Sequence, residues 1–291
     1  MENRLIIIDS NALLHRAFHA LPPLANSSGQ ETGAVYGFLL TLFKAIKDLN
    51  PGYIVACFDT KAKTFRHEQF KEYKAQRPVT PSGIISQIPI TKDVLKVFGI
   101  PVFAKDGFEA DDLIATICSL TQKQNKDSEI YILTGDLDNL QLVNKNIKVY
   151  TLGKGIKDTV IYDINKVEER FGVKPEQMVD FKALTGDPSD NIPGVEGIGK
   201  KTAAEIIQKY GTVKNLYEEL STDTAVLKPK VKDALKQNKE TAMMSLSLVQ
   251  MKNDVDIDFK VEACKFGKFD KIEVEDIFKK LDFNSLINRI P

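Results

Sequence analysis

Residues 5–9 read Leu-Ile-Ile-Ile-Asp, residues 53–59 Tyr-Ile-Val-Ala-Cys-Phe-Asp, and residues 130–136 Ile-Tyr-Ile-Leu-Thr-Gly-Asp. Each is a short, apolar, β-branched run without polar alternation, as expected of strands buried on both faces. Helical patterns fill the gaps. In residues 33–49 the apolar side chains Val35, Phe38, Leu39, Leu42, Phe43, Ile46 and Leu49 fall on one helical face, and residues 110–120 read the same way. Strands alternating with helices predict an α/β core with a largely parallel sheet. Beyond about residue 160 strand signals become scarce, with breaks at Gly172, Pro175, 186–199 and Gly211. No long linker or repeat intervenes. The expected organisation is a core over 1–184, including an irregular charged connection at 61–83, and a helical subdomain over 185–291 packed back on it.

The chain has 291 residues, 43% hydrophobic and 27% charged, which excludes wholesale disorder. Forty basic residues balance 40 acidic ones, so no global field recruits a polyanion, and any nucleic-acid contact must come from local charge. Cys57, Cys118 and Cys264 are widely spaced and His15, His19 and His67 are the only histidines, which argues against a disulfide framework, a structural zinc site or a histidine-rich metal site. With no apolar run long enough for a leader or membrane span, the expectation is a cytoplasmic protein with no membrane partner.

Each of the three strand-like runs ends in aspartate: Asp9, Asp59 and Asp136, with Asp138 following. Ligands of open α/β sheets bind outside the carboxyl ends of parallel strands, so these carboxylates are expected to converge there. Glu109, Asp111 and Asp112 open the 110–120 helix, and Asp187 and Asp190 lie in Gly-Asp-Pro-Ser-Asp-Asn. Taken singly, such acids cap helices, make turns or end strands. Together they would repel severely in a partly desolvated cleft, and two divalent cations would offset this. Hard oxygen donors suit Mg²⁺ or Mn²⁺, the pair used for in-line phosphoryl displacement.

Residues 192–204 nearly spell a P-loop, with Gly194, four residues, then Gly199-Lys200. Lys201 stands where Ser or Thr is required and no strand precedes, so a nucleotide-triphosphate site is rejected. The alternative is a hairpin between helices. There Gly194, Gly197 and Gly199 allow close phosphate approach, a helix N-terminus follows at Lys200-Lys201-Thr202, and the lysines add charge. The competing reading is a glycine-rich connection with solvated lysines. Segment 61–77 carries Lys61, Lys63, Arg66, Lys71, Lys74 and Arg77 among Phe65, Phe70 and Tyr73, a mixture suited to single-stranded nucleic acid or to a solvated amphipathic helix. On a helix, Lys74 and Arg77 would share a face, with Tyr73 beside Arg77.

Several strings carry a resemblance: Arg16-Ala17-Phe18-His19-Ala20-Leu21-Pro22, Ala34-Val35-Tyr36-Gly37-Phe38, Phe65-Arg66-His67-Glu68, Tyr73-Lys74-Ala75-Gln76-Arg77, Phe108-Glu109-Ala110-Asp111-Asp112, and Ala183 through Thr202. They cover most of residues 5–215. The chain resembles the 5′-nuclease domain of bacterial DNA polymerase I, within the flap endonuclease family. The resemblance implies a PIN-like α/β nuclease core with a mainly parallel sheet, a helical arch near 61–83, and a helix–three-turn–helix (helix-hairpin-helix) element near 185–210. It implies one metal site at Asp9, Asp59, Glu109, Asp111 and Asp112 and a second at Asp136, Asp138, Asp187 and Asp190. It gives Tyr73, Lys74 and Arg77 roles at the 5′ strand and scissile phosphate, and places K⁺ at the 192–202 hairpin. Ser10 departs from the glycine that many relatives carry after the first aspartate. The implied activity is structure-specific 5′→3′ exonuclease and 5′-flap endonuclease chemistry in primer removal and DNA replication and repair. Its expected partners are DNA with a 5′ flap, nick or 5′ end, RNA-primed DNA among them, and a polymerase in cis or in trans; a monomer is expected. The rival readings are a catalytically inert DNA-binding scaffold, which loss of several acids would favour, and a PIN-type ribonuclease, which shares the acidic core.

Overall fold

A computed structural model describes residues 3–153 and 158–291. The strands are β1 (Arg4–Asp9), β2 (Tyr53–Cys57), β3 (Val102–Phe103), β4 (Glu129–Leu133), β5 (Ile147–Leu152) and β6 (Thr159–Tyr162). They form one sheet in the order β3-β2-β1-β4-β5-β6, parallel throughout except for β6, which runs antiparallel to β5. The chain thus builds outward from β1 to β2 and β3, then returns to the other side of β1 for β4. That reversal opens a crevice beyond the carboxyl ends of β1 and β4.

Helices α1 (Ser10–Ala20), α2 (Gly33–Leu49), α3 (Phe65–Gln69), α4 (Ser82–Ile85), α5 (Gln87–Val97) and α6 (Ala110–Gln124) connect the first four strands. After β6 the chain is helical: α7 (Ile164–Phe171), α8 (Met178–Thr185), α9 (Lys200–Tyr210), α10 (Val213–Ser221), α11 (Pro229–Gln237), α12 (Lys239–Val249), α13 (Lys271–Lys280) and α14 (Asn284–Ile287).

The period of two along β1 explains why its sequence is apolar at every position. Leu5 and Ile7 enter a core with Leu113, Ile114 and Ile117 of α6 that extends into α7–α10. Ile6 and Ile8 enter a second core with Phe38, Leu39 and Leu42 of α2, Leu95 of α5 and Phe278 of α13. Each fully buried isoleucine contributes about 1.5–3 kcal/mol of transfer free energy. The last helices therefore fold back on the sheet: α13 closes the face opposite to that covered by α7–α10.

Between Gly186 and Gly194 two backbones touch. A Cβ on Gly194 would lie 2.2 Å from the Gly186 nitrogen, and one on Gly186 2.5 Å from the Ile192 oxygen, with both residues at positive φ. Only glycine fits either position, and their contact folds the 187–193 loop tightly against the end of α8. The loop is further pinned by Val195 N donating to Leu184 O at 2.8 Å.

Segment 61–83 holds the five-residue α3, whose start is closed by Thr64 and His67, followed by turns through Arg77. Lys74 has φ +55°, so the helical face expected to carry Lys74 and Arg77 does not exist. They are brought together by a turn instead. Among the described residues all three cysteines are free and buried, and no helix is long and apolar enough to cross a membrane.

Candidate metal centre and nucleic-acid interface

The two edges of the sheet differ in charge balance. At the amino edge, Arg4 and Glu129 stand opposite each other in register. Glu129 accepts from Arg4 Nε at 2.7 Å, Lys148 Nζ at 2.7 Å and Tyr131 Oη at 3.0 Å. Burial works against its ionisation, but these donors outweigh it and hold the carboxyl at about 2.

At the carboxyl edge the acids outnumber their cations. Asp9 ends β1 and caps α1, its Oδ1 accepting from Ala12 N at 3.2 Å and its Oδ2 from Thr134 Oγ1 at 2.6 Å. Asp59 lies just past β2. Asn11 Oδ1 accepts its backbone N–H at 3.1 Å, and its own Oδ1 accepts from Ala110 N at 2.8 Å, at the start of α6. Glu109 caps α6 and Asp111 sits in its first turn. Asp136 follows β4 in a tight turn, with its N–H donating to Thr134 Oγ1 at 2.9 Å and its Oδ1 accepting from Asp138 N at 3.0 Å. Asp9, Asp59, Glu109, Asp111, Asp136 and Asp190 all line one cleft of about 910 Å³, which α1 bounds with His15, Arg16 and His19.

Burial, with repulsion from Asp59 and Asp136, pushes the Asp9 carboxyl up to about 7. Burial, followed by Asp9, Asp136 and Asp138, pushes Asp111 well above the usual carboxylate range. Burial likewise raises Asp59. These are the signs of negative charge without enough counter-charge.

Cations meet these acids from two sides, Lys74 and Arg77 in the cleft wall and Lys182 beside it. From the turn after α3, Lys74 Nζ donates to Glu109 Oε1 at 2.7 Å and lies 3.7 Å from Asp190 Oδ2. Arg77 pairs with Asp190 and donates to Ser189 O at 3.2 Å. From α8, Lys182 bridges Asp138 and Asp187, the latter at 2.8 Å. Burial opposes ionisation of Asp187, but Lys182 and Ser189 hold it at about 2. For Asp138, burial with Asp136 nearby raises the carboxyl to about 7 in spite of the same lysine.

No three acid, histidine or cysteine groups among the described residues close into a ready coordination sphere. Lys74, Arg77 and Lys182 hold Glu109, Asp190, Asp138 and Asp187, while Asp9, Asp59, Asp111 and Asp136 have no cationic partner among the described residues. The donor set is nevertheless carboxylate oxygen with uncompensated negative charge, and it fits hard divalent cations.

Four expectations need correction. Asp112 is fully buried and turned away from the cleft: Arg66 Nη1 and Nη2 donate to its two oxygens at 2.8 and 2.9 Å, and Glu109 N and Lys252 N also donate to it. It is therefore not placed to bind a metal. Arg66 is equally committed. It is 2% exposed and also donates to Leu248 O and Gln250 O, so it clasps α3 to α6 and α12 and is out of reach of DNA. Tyr73 is buried, its hydroxyl within hydrogen-bond distance of Glu109 Oε2 (3.1 Å) and Asp190 Oδ2 (3.0 Å); its ring is not available for stacking on a base. Gly194 is buried against Gly186 and donates to Ser245 Oγ at 3.2 Å, so it shapes the hairpin and does not face a phosphate.

The rest of the hairpin is open. Gly197, at φ +83°, and Gly199 have nothing within 4 Å of an added Cβ. Gly199 caps α9, and Lys200 and Lys201 are exposed on its first turn, with Thr202 partly so. Val195 and Ile198 anchor the loop in the core beneath.

Sequence reasoning missed Lys182, Thr134 and Asn139. Lys182 sits five residues before Asp187 on a helix, a spacing that could have marked it. Thr134 and Asn139 carry no local signal.

Two family profiles cover the chain in succession. "5'-3' exonuclease, N-terminal resolvase-like domain" matches residues 4–172, and "5'-3' exonuclease, C-terminal SAM fold" matches residues 173–272. DNA polymerase I of Bacillus caldotenax is 36% identical over 290 residues, covering 100% of this chain and 32% of that protein. DNA polymerase I of Bacillus subtilis (strain 168) is 38% identical over 287 residues, covering 99% and 32%. The chain thus spans about a third of the length of these relatives. Among solved structures, the bacteriophage T5 D15 flap endonuclease in a pseudo-enzyme-product complex with DNA and metal ions aligns with a TM-score of 0.69 at 22% identity, covering 98% of this chain and 99% of that one. The catalytic core of Rad2 in complex with DNA substrate aligns at 0.65 and 18% identity, covering 100% and 93%. These two are likenesses of fold. With the first profile alone spanning more than half of its residues, the chain belongs to the 5′–3′ exonuclease family.

Proposed function

We propose that the chain hydrolyses DNA phosphodiester bonds as a structure-specific 5′→3′ exonuclease and 5′-flap endonuclease, using two divalent cations, Mg²⁺ or Mn²⁺. The observation that carries this reading is the cluster of under-compensated acids at the reversal point of the sheet, faced by Lys74 and Arg77. Asp9, Asp59, Glu109 and Asp111 would hold one ion, and Asp136, Asp138, Asp187 and Asp190 the other. The two ions would supply activation of water and neutralisation of the phosphate.

The chain's own residues do the rest. Lys74 and Arg77 lie at the cleft mouth on a turn fixed by Lys74 N donating to Asp190 O at 3.0 Å. Cations held there stabilise charge that builds on phosphate oxygens during displacement more than they stabilise the ground state. Burial and two neighbouring acids raise the Tyr73 hydroxyl well above its usual value, so it stays a neutral donor that orients Glu109 and Asp190. Burial raises the Cys57 thiol, so no thiolate nucleophile is available there. Gly197, Gly199, Lys200, Lys201 and Thr202 would grip the backbone of the duplex, with K⁺ at the hairpin as a further ligand. The division into a nuclease core (1–184) and a duplex-binding helical part (185–291) belongs to the same proposal. So do action as a monomer in the bacterial cytoplasm at nucleoid DNA, RNA-primed substrates, and a polymerase partner in cis or in trans.

The test is cleavage of 5′-labelled flap, nicked and single-stranded DNA with and without Mg²⁺. Metal-dependent release of 5′ fragments from the flap and nicked substrates is expected. DNA binding without cleavage at any Mg²⁺ or Mn²⁺ concentration would overturn the reading.

A further inference from the structure

Asn139 lies on the three-residue-per-turn segment Asp138–Leu142 and is 0% exposed. Its Nδ2 donates to Asp111 Oδ1 at 2.8 Å, and its Oδ1 meets no donor among the described residues. With its NH₂ turned toward Asp111, the amide leaves its carbonyl oxygen orphaned. Half-satisfied buried amides are unfavourable, and a leucine at this position would carry no orphaned atom of its own, at the cost of the donor to Asp111.

Asp111 differs from its neighbours in what holds it. Lys74 pairs with Glu109, Lys182 with Asp138 and Asp187, and Arg77 with Asp190. Backbone N–H groups serve Asp9 and Asp59. Among the described residues no lysine or arginine pairs with Asp111, and Asn139 is its one hydrogen-bond donor. A lysine there would compete with a metal for the carboxylate, whereas a neutral amide orients it without neutralising it.

We propose that Asn139 is a positioning residue: its amide fixes the Asp111 carboxylate so that the second oxygen faces the cleft, and thereby sets the affinity for a divalent cation. This rests on the reading of Asp111 as a metal-binding acid. Partners of metal-binding carboxylates typically change affinity by about 10–100-fold when removed.

The test measures Mn²⁺ binding to the DNA-free protein by calorimetry and paramagnetic resonance, alongside thermal unfolding in chelator. Asn139→Leu should weaken the tighter Mn²⁺ site by about 10-fold with little change in thermal stability, since the donor lost from Asp111 is offset by removal of an orphaned polar atom. In an Asp111→Asn background the same substitution should change Mn²⁺ affinity less than twofold. Asn139→Gln, which keeps the donor but overfills the site, should bind Mn²⁺ more tightly than Asn139→Leu while being less stable. Wild-type Mn²⁺ affinity in Asn139→Leu, an equal loss in the Asp111→Asn background, or affinities that simply follow stability would each overturn the proposal. If Asp111→Asn itself binds Mn²⁺ as wild type does, the metal reading of Asp111 falls and takes the inference with it.

Discussion

Replacing Arg66 by methionine should unfold the protein far more readily, and it also removes the 3.6 Å ion pair of Arg66 with Glu109 Oε2. Arg66 and Asp112 are 2% and 0% exposed and joined by two hydrogen bonds of 2.8 and 2.9 Å. Removing the guanidinium leaves a buried carboxylate with only two backbone donors, Glu109 N at 3.1 Å and Lys252 N at 2.8 Å. It also strips donors from Leu248 O and Gln250 O. Breaking a buried pair from one side costs about 3–5 kcal/mol. For a chain of this size that is a fall in Tm on the order of 10 °C. Removing both charges avoids the stranded ion, so Arg66→Met with Asp112→Leu should recover part of the loss. Thermal and urea unfolding of the two single variants and the double variant give the coupling directly. Mn²⁺ titration of Asp112→Asn completes the assay and should show affinity within a few-fold of wild type. A stable Arg66→Met, or loss of one Mn²⁺ ion in Asp112→Asn, would refute the assignment of this pair to structure.

Lys74→Ala should slow single-turnover cleavage of a 5′ flap by roughly 10²–10³ with little change in DNA affinity, because the charge acts on the transition state; a wild-type rate would reduce the segment to a binding surface. Lys200→Ala with Lys201→Ala should weaken binding to duplex-containing DNA and lower the slope of log K against log salt by about 1.8, or about 0.9 for each phosphate that is no longer neutralised; an unchanged slope would remove the hairpin from the interface. Glu129→Gln should lose on the order of 1 kcal/mol at neutral pH. Glu129 is held at about 2 in the folded chain against an ordinary 4.5, so its contribution is present in full above about 4.5 and lost as pH falls through about 2. The Tm gap between Glu129→Gln and wild type should therefore close over that window, and a gap that is constant with pH would contradict the ion-pair account.

The sheet centre was legible because β1, β2 and β4 are buried on both faces and so are apolar at nearly every position. α2 was legible because its one-sided face spans four turns. The edge strand β3 has only two residues, and β5 and β6 carry lysine and threonine on partly solvated positions, so no continuous run announces them. Most of the acids were readable from strand ends and from the Glu109 and Asp187 strings. Their partners were not. Charge pattern alone does not separate Arg66, which is buried in an ion pair, from Lys74 at the cleft mouth, since both lie in the same basic segment. The difference arises from contacts with α6 and α12, nearly 50 and more than 180 residues away. Gly194 misled for a related reason: a glycine needed for backbone-on-backbone packing and one needed for phosphate approach look the same in sequence.

The central claim is that the acids at the carboxyl edge act by holding metal, and Asp136→Ala tests it most directly. Asp136 follows β4, lines the cleft and touches no lysine or arginine among the described residues, so its removal breaks no ion pair. The measurement is the single-turnover rate of 5′-flap cleavage across a Mg²⁺ titration, with DNA affinity determined in chelator. The account predicts that cleavage is lost at every Mg²⁺ concentration while DNA affinity stays within several-fold of wild type. Wild-type turnover at an unchanged Mg²⁺ optimum would contradict it.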